Sequence, residues 1–173
     1  MKKRMLGKLQ VSAIGMPMIG FGTYRMPPRI TQRCVEEAIG GGYRHTDTAQ
    51  CCGNEREVGQ SISSRRTSFV NSATCMICSK IYGTAHEAWS PLAAEQNGFF
   101  TNPTMTELAR RYEKSIAQIG LKFPIQQDII AIPKSTHIER MRENLDLADF
   151  ELTATDMARL RTLDKRKSLF NWW

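Results

Sequence analysis

Gly40-Gly41-Gly42-Tyr43-Arg44-His45-Thr46-Asp47-Thr48-Ala49 joins the end of one regular element to the start of the next. Val35, Ala38 and Ile39 ahead of it recur at helical spacing and predict a helix from about Thr31. The three glycines stop that helix, because glycine takes the left-handed conformation that closes a C-terminus. Tyr43 to Thr46 then reads as a short strand, with Asp47 just past its end. Asn54-Glu55 opens a polar helix carrying Val58 and Ile62. Upstream, Met16 to Gly22 is short, apolar and bounded by glycine, as a buried strand is. Downstream, Ser68 to Lys80 contains the next apolar strand. Strands alternating with helices in this way predict parallel β/α units in an α/β fold.

The second half of the chain is mainly helical. Thr104-Met105-Thr106-Glu107 matches a capping box ahead of Leu108, Ala109 and Tyr112. Ile116, Ile119 and Phe123 predict a second helix. Asp128 to Ile132 is a buried-type strand stopped by Pro133. Thr136 to Glu139 and Thr153 to Asp156 carry further helix-start signals. In parallel β/α folds, chemistry gathers where strands end and loops begin. Asp47, Lys80 and Lys134 all stand at predicted strand ends.

The chain has 173 residues, 41% hydrophobic and 24% charged, which suits one globular domain with a core of its own. A complete eight-fold β/α barrel typically takes ~250 residues, so a closed barrel of that type is not expected. No run approaches the ~20 apolar residues of a membrane helix. The basic start Met1 to Gly7 lacks the apolar core of a secretion signal. The expected compartment is the cytoplasm, and no membrane partner is expected. Five cysteines, an odd number, fit reduced thiols there. Cys75-Met76-Ile77-Cys78 lies in a strand-like run, so its sulfurs would point to opposite faces. Buried thiols, and no metal site, are expected. The 24 Lys and Arg exceed the 17 Asp and Glu, for a net charge of +7. The cations are scattered and are not interleaved with aromatic residues, which argues against nucleic acid. An anionic small molecule stays open.

Taken together, Ile19 to Tyr24, Gly42 to Ala49, Gly53-Asn54-Glu55, Ser79-Lys80, Glu87 to Leu92 and Ile132 to Ser135 resemble the aldo-keto reductase family. Arg140, Glu143-Asn144 and Asp149 to Leu152 extend the resemblance in the same order. It implies a (β/α)8 TIM barrel and NADPH-dependent reduction of small-molecule aldehyde and ketone carbonyls. It implies that Lys134, Ser135 and Arg140 hold the adenosine 2′-phosphate and that Glu143 and Asn144 contact the adenine. Ser90 and Leu92 would line the pyrophosphate path, and Gly22, Thr23, Tyr24 and Asp47 would border the nicotinamide end. Asp47 and Lys80 would be catalytic, adjusting a tyrosine that donates the proton. Gly20-Phe21-Gly22 lacks the third glycine of a dinucleotide fingerprint, so a Rossmann site is not expected.

Two departures from the family pattern stand out. The tyrosine position is Cys52, whose side chain is shorter by about a ring. After Lys80 the chain passes almost at once to His86-Glu87-Ala88-Trp89, which resembles a late strand. The expected architecture is therefore an incomplete barrel of about five parallel strands with its middle units missing. Residues 1–84 resemble the N-terminal units and residues 85–173 the C-terminal, cofactor-binding units. Activity is expected to be weak or lost. The alternatives are a non-catalytic NADP(H)-binding remnant or a non-functional truncated product. Open strand edges favour self-association.

Overall fold

The structure is a computed structural model and describes residues 4–6, 9–11, 15–63, 69–72, 86–93 and 98–164. Two short strands, β1 (Arg4–Leu6) and β2 (Leu9–Val11), form an antiparallel hairpin. Then come β3 (Phe21–Gly22), α1 (Pro28–Gly41), β4 (His45–Thr48), α2 (Glu55–Ser63) and β5 (Phe69–Ser72). The second half supplies β6 (His86–Trp89), α3 (Pro103–Tyr112), α4 (Ile116–Ile125) and β7 (Ile129–Ile132). It ends in α5 (Ile138–Leu145) and α6 (Ala154–Arg161). The expected strand over Thr74 to Ile81, with Cys75 and Cys78, lies outside the described residues.

Among the described residues, all strand pairings after the hairpin are parallel. β4 pairs with β3 on one side and β5 on the other, and β6 pairs with β7. The two groups join through β3 and β7, where Ile19 bridges Ala131. The Gly20 N–H donates to the Ala131 carbonyl at 2.9 Å and the Gly22 N–H to the Pro133 carbonyl at 3.0 Å. The described order is thus β5-β4-β3-β7-β6. On a flat sheet β4 and β6 would stand about 14 Å apart, three strand spacings. Yet the His45 ring on β4 lies 3.4 Å from the Glu87 carboxylate on β6. The sheet therefore curls and turns the two side chains toward each other.

Local signals set most element ends. Gly42 adopts φ 118° and its N–H closes α1 on the Ala38 and Ile39 carbonyls, as the glycine run predicts. α1 begins earlier than Thr31, at Pro28, because proline at the first helical turn is pre-set for helix and has no N–H to strand. β4 runs on through Asp47 to Thr48, rather than ending before Asp47, since Gly22 and Asn71 extend the ladder on both sides. Asn102 caps α3 by accepting from the Thr104 and Met105 N–H groups, two residues ahead of the expected Thr104. α4 starts with a capping box between Ser115 and Gln118. Thr153 caps α6 as expected.

Phe21, Val35, Ala38, Ile130 and Met141 pack one core between the sheet and α1 and α5. Met105, Leu108, Ile119, Met157 and Leu160 pack a second between α3, α4 and α6. The Tyr43 hydroxyl donates to the Met141 carbonyl at 3.1 Å, fastening the start of β4 to α5. Asn54 is fully buried. Its amide donates to the Thr23 and Met26 carbonyls, each at 3.0 Å, and its oxygen accepts from the Thr48 hydroxyl at 3.0 Å. One side chain thus fixes the β3–α1 loop against β4. Asn54→Ala is expected to lower folding stability by about 2–4 kcal/mol, because it strands buried carbonyls as well as removing bonds. Urea denaturation followed by circular dichroism measures this, and a loss under about 1 kcal/mol would contradict the lock.

Candidate functional site

The ends of β3, β4, β6 and β7 surround a cleft of about 440 Å³. β3 and its loop contribute Gly22, Tyr24 and Arg25, and β4 contributes Asp47. β6 and its turn contribute Trp89, Ser90, Pro91 and Leu92, with Phe100 beyond. β7 and the start of α5 contribute Ile132 to His137 and Arg140. Gly22 is needed for this convergence. A Cβ there would lie 3.2 Å from Ile132 Cγ2 and 3.3 Å from the Ile132 carbonyl oxygen, so a side chain would crowd β7 and its neighbours would have to give by a few tenths of an ångström. The Tyr24 and Trp89 rings meet edge to face with centroids 6.0 Å apart. The Arg25 guanidinium lies over the Tyr24 ring, 5.1 Å from its centroid.

The cleft brings together eight of the residues singled out in the sequence: Gly22, Tyr24, Asp47, Ser90, Leu92, Lys134, Ser135 and Arg140. Among the described residues, it does not bring in the others. Thr23 is buried, and its hydroxyl donates to the Asp47 carbonyl at 3.0 Å. Asn144, on α5, is buried and hydrogen-bonded to the Tyr43 side chain. Glu143 is half-buried off the cleft, and its carbonyl accepts from the Gln118 amide at 3.2 Å. Cys52 is half-buried in the 3-10 turn Gln50–Cys52 and does not line the cleft. Lys80 lies outside the described residues. Arg25, Phe100, Thr136 and His137 join the cleft without having been singled out. Position next to the Tyr24 and Ser135 motifs was the only signal for Arg25, Thr136 and His137.

At the β7 end, Lys134 and Arg140 are exposed, and among the described residues neither is ion-paired with a carboxylate. The buried Ser135 hydroxyl accepts from the His137 N–H at 3.1 Å and so shapes the approach to α5. Two cations beside a helix start make a place suited to a phosphate. At the β4 end the electrostatics reverse. Asp47 and His45 share one face of β4, because strand residues two apart do. His45 is fully buried, and Gly20 makes room for it, since a Cβ there would lie 2.7 Å from His45 Nδ1. Burial pushes the His45 pKa down, against the pull of the nearby Glu87 charge. Burial, reinforced by the like charge of Glu87, pushes the Asp47 carboxyl up to about 7.

The Asp47 shift has a stability consequence. The folded chain keeps the Asp47 proton up to about pH 7, while the unfolded chain releases it near 3.8. The stability this proton contributes is full below that lower value and is lost as pH rises through about 7. Asp47→Asn is therefore expected to raise Tm at pH 8 and to leave it unchanged near pH 4. Thermal melts at the two pH values check this, and an equal Tm change at both would contradict the shift.

Comparison with known proteins places these features. The family model described as "Aldo/keto reductase family" matches residues 94–165. The chain is 45% identical over 83 residues to the oxidoreductase YtbE of Bacillus subtilis (strain 168), covering 48% of this chain and 29% of that protein. It is 40% identical over 83 residues to the glyoxal reductase of the same organism, again covering 29% of the relative. An aldo-keto reductase of Mycobacterium sp. (strain JLS) is 22% identical along 257 aligned positions, covering 89% of this chain and 91% of the relative. Among solved structures, an aldo-keto reductase from a Medee basin deep-sea metagenome superimposes with a TM-score of 0.80 at 22% identity, covering 88% of this chain and 93% of that one. The aldose reductase of Schistosoma japonicum gives 0.79 at 18% identity, covering 91% and 92%. Residues 94–165 therefore match the aldo/keto reductase family model, the chain spans about a third of the length of the relatives it matches at 40% identity or more, and its fold is similar to that of solved aldo-keto reductases.

Proposed function

We propose that this chain holds NADP(H) in the cleft and is an oxidoreductase of the carbonyl-reducing kind with weak activity. The observation that carries the reading is the convergence of Gly22, Tyr24, Asp47, Ser90, Leu92, Lys134, Ser135 and Arg140, drawn from both halves of the chain, on one cleft. Lys134 and Arg140 would hold the 2′-phosphate, the turn at Ser90 to Leu92 the pyrophosphate, and Gly22 with Tyr24 the nicotinamide end. A reduced nicotinamide supplies hydride when bound. The chain's own part is to fix the cofactor's phosphates, to wall the cleft with Tyr24 and Trp89, and to hold a proton at Asp47. Weak turnover follows from the position of Cys52, the residue in the tyrosine's place, away from the cleft. The same observation favours a second reading, an NADP(H)-binding protein without turnover.

The finer architecture belongs to the same proposal. We take the fold to be an incomplete barrel of about five parallel strands, with residues 1–84 and 85–173 as its two parts and its open edges available to a second copy. The described order β5-β4-β3-β7-β6 supports this. So does the mycobacterial alignment, whose 257 positions exceed the 173 residues of the chain.

Fluorescence titration with NADPH and NADH tests the cofactor site. Lys134→Ala and Arg140→Ala are each expected to weaken NADPH about 10- to 100-fold, the value of a charge-assisted contact, and to leave NADH nearly unchanged. Equal losses for both nucleotides would overturn the 2′-phosphate assignment. Reduction of an aldehyde panel by NADPH separates weak turnover from none.

A further inference from the structure

We propose that Cys51 and Cys52 form a two-thiol clamp that captures a trivalent organoarsenical, a soft electrophile with two replaceable oxygens on one arsenic atom. The pair lies outside the cleft, since neither residue lines it, and the proposal does not depend on the cofactor reading above.

The turn that carries the pair makes it a clamp. Neighbouring side chains on a strand point to opposite faces. β4 ends at Thr48, ahead of the pair, and Gln50–Cys52 is a 3-10 turn in which the Cys52 N–H donates to the Ala49 carbonyl at 2.8 Å. With about three residues per turn, consecutive side chains stand roughly a third of a turn apart, so the two sulfurs can swing to one side. The loop over residues 49–53 is pinned at its base, because the Thr48 hydroxyl donates to the side-chain oxygen of buried Asn54 at 3.0 Å. On this loop Cys51 is exposed and Cys52 half-buried. Next in the chain, Gly53 faces open space, where a Cβ would meet no atom within 4 Å. The organic group on arsenic has room there. Cys34, by contrast, is fully buried in α1 and out of reach.

Geometry also selects the occupant. The Cys51–Cys52 peptide is trans, which holds the two Cα atoms about 3.8 Å apart. An unstrained disulfide needs about 4.4 Å or more, so the pair resists closing on itself and favours a larger, soft atom between its sulfurs. Zinc asks for about four ligands, and among the described residues no group of three or more His, Cys, Asp and Glu could hold a metal ion. A monosubstituted arsenic(III) asks for only the two sulfurs. Capture is an exchange without oxidation or reduction. Two As–O bonds break and two As–S bonds form. Each S–H proton leaves with a hydroxide as water, and arsenic stays trivalent. The first bond makes the second intramolecular, so the pair outbinds either thiol alone by ~100-fold or more.

The test exposes the folded full chain to phenylarsine oxide in excess reduced glutathione, which displaces arsenic from single thiols, and then digests it with trypsin. The tryptic peptide His45–Arg56 contains Cys51 and Cys52 and no other cysteine. Mass spectrometry is expected to find one phenylarsenic group on that peptide. Cys51→Ser and Cys52→Ser should each weaken its capture by ~100-fold or more and leave the circular dichroism unchanged. Capture should persist in the full chain carrying both Cys75→Ser and Cys78→Ser, positions that lie outside the described residues. A bare His45–Arg56 peptide, arsenic that stays on this peptide in either single variant, or capture lost with Cys75 and Cys78 would each overturn the proposal. So would an internal Cys51–Cys52 disulfide as the main product when the chain is treated with glutathione disulfide.

Discussion

The parallel contact between β3 and β7 is the constraint on which the rest depends. It joins Gly20 and Gly22 to Ala131 and Pro133, more than a hundred residues onward, through two N–H···O bonds of 2.9 and 3.0 Å. Without it the N-terminal strands and the C-terminal strands would be separate sheets, and Asp47 would share no surface with Lys134. The contact is close because neither glycine has a side chain. Gly22 lets the backbone of β3 meet Ile132, and Gly20 leaves space for the His45 ring. Such long-range pairing closes a large loop, which costs chain entropy before any packing is gained. The buried Phe21, Ile130 and Met141 around it are what offset that cost.

The cleft has two electrostatic ends made by different means. At the β7 end, exposed Lys134 and Arg140 stand without carboxylate partners among the described residues. Elsewhere on the second half several cations are paired: Lys114 with Asp146 and Asp149, Arg159 with Glu107, and Arg111 with the buried Asp156. At the β4 end, burial disfavours charge on His45 and Asp47, which stand near the Glu87 carboxylate. An apolar trio would pack there at less cost, so this end is strained electrostatically in the manner of sites kept for chemistry.

Much of the fold was legible as local signal. The left-handed Gly42, the α6 cap at Thr153 and the apolar spacings of α1, α2 and α4 all appear where the sequence places them. The misplacements have one cause, competition among nearby residues for the same role. Asn102 followed by Pro103 outcompetes Thr104 as the α3 cap, since proline pre-sets the first turn. His137 occupies the α5 cap position, while the Ser135 side chain ties the turn ahead of it. Of the candidate site, the motif residues at strand ends were legible because strand ends in parallel β/α units face one rim. Thr23 and Asn144 could not be sorted from their neighbours, because which side of a short segment is inward depends on partners far away in the chain.

The sequence by itself determined the alternation of strands and helices, the positions of most helix ends and the motif residues that later meet. These are local properties, written in spacing, glycine and capping residues. Only the tertiary structure decided that β4 continues through Asp47, that the sheet curls, and that His45 reaches Glu87 across it. The reason is physical: curvature, burial and the neighbour of a buried charge are set by strands that are remote in sequence. The acid–imidazole cluster behind Asp47 exists only once those strands have closed upon one another.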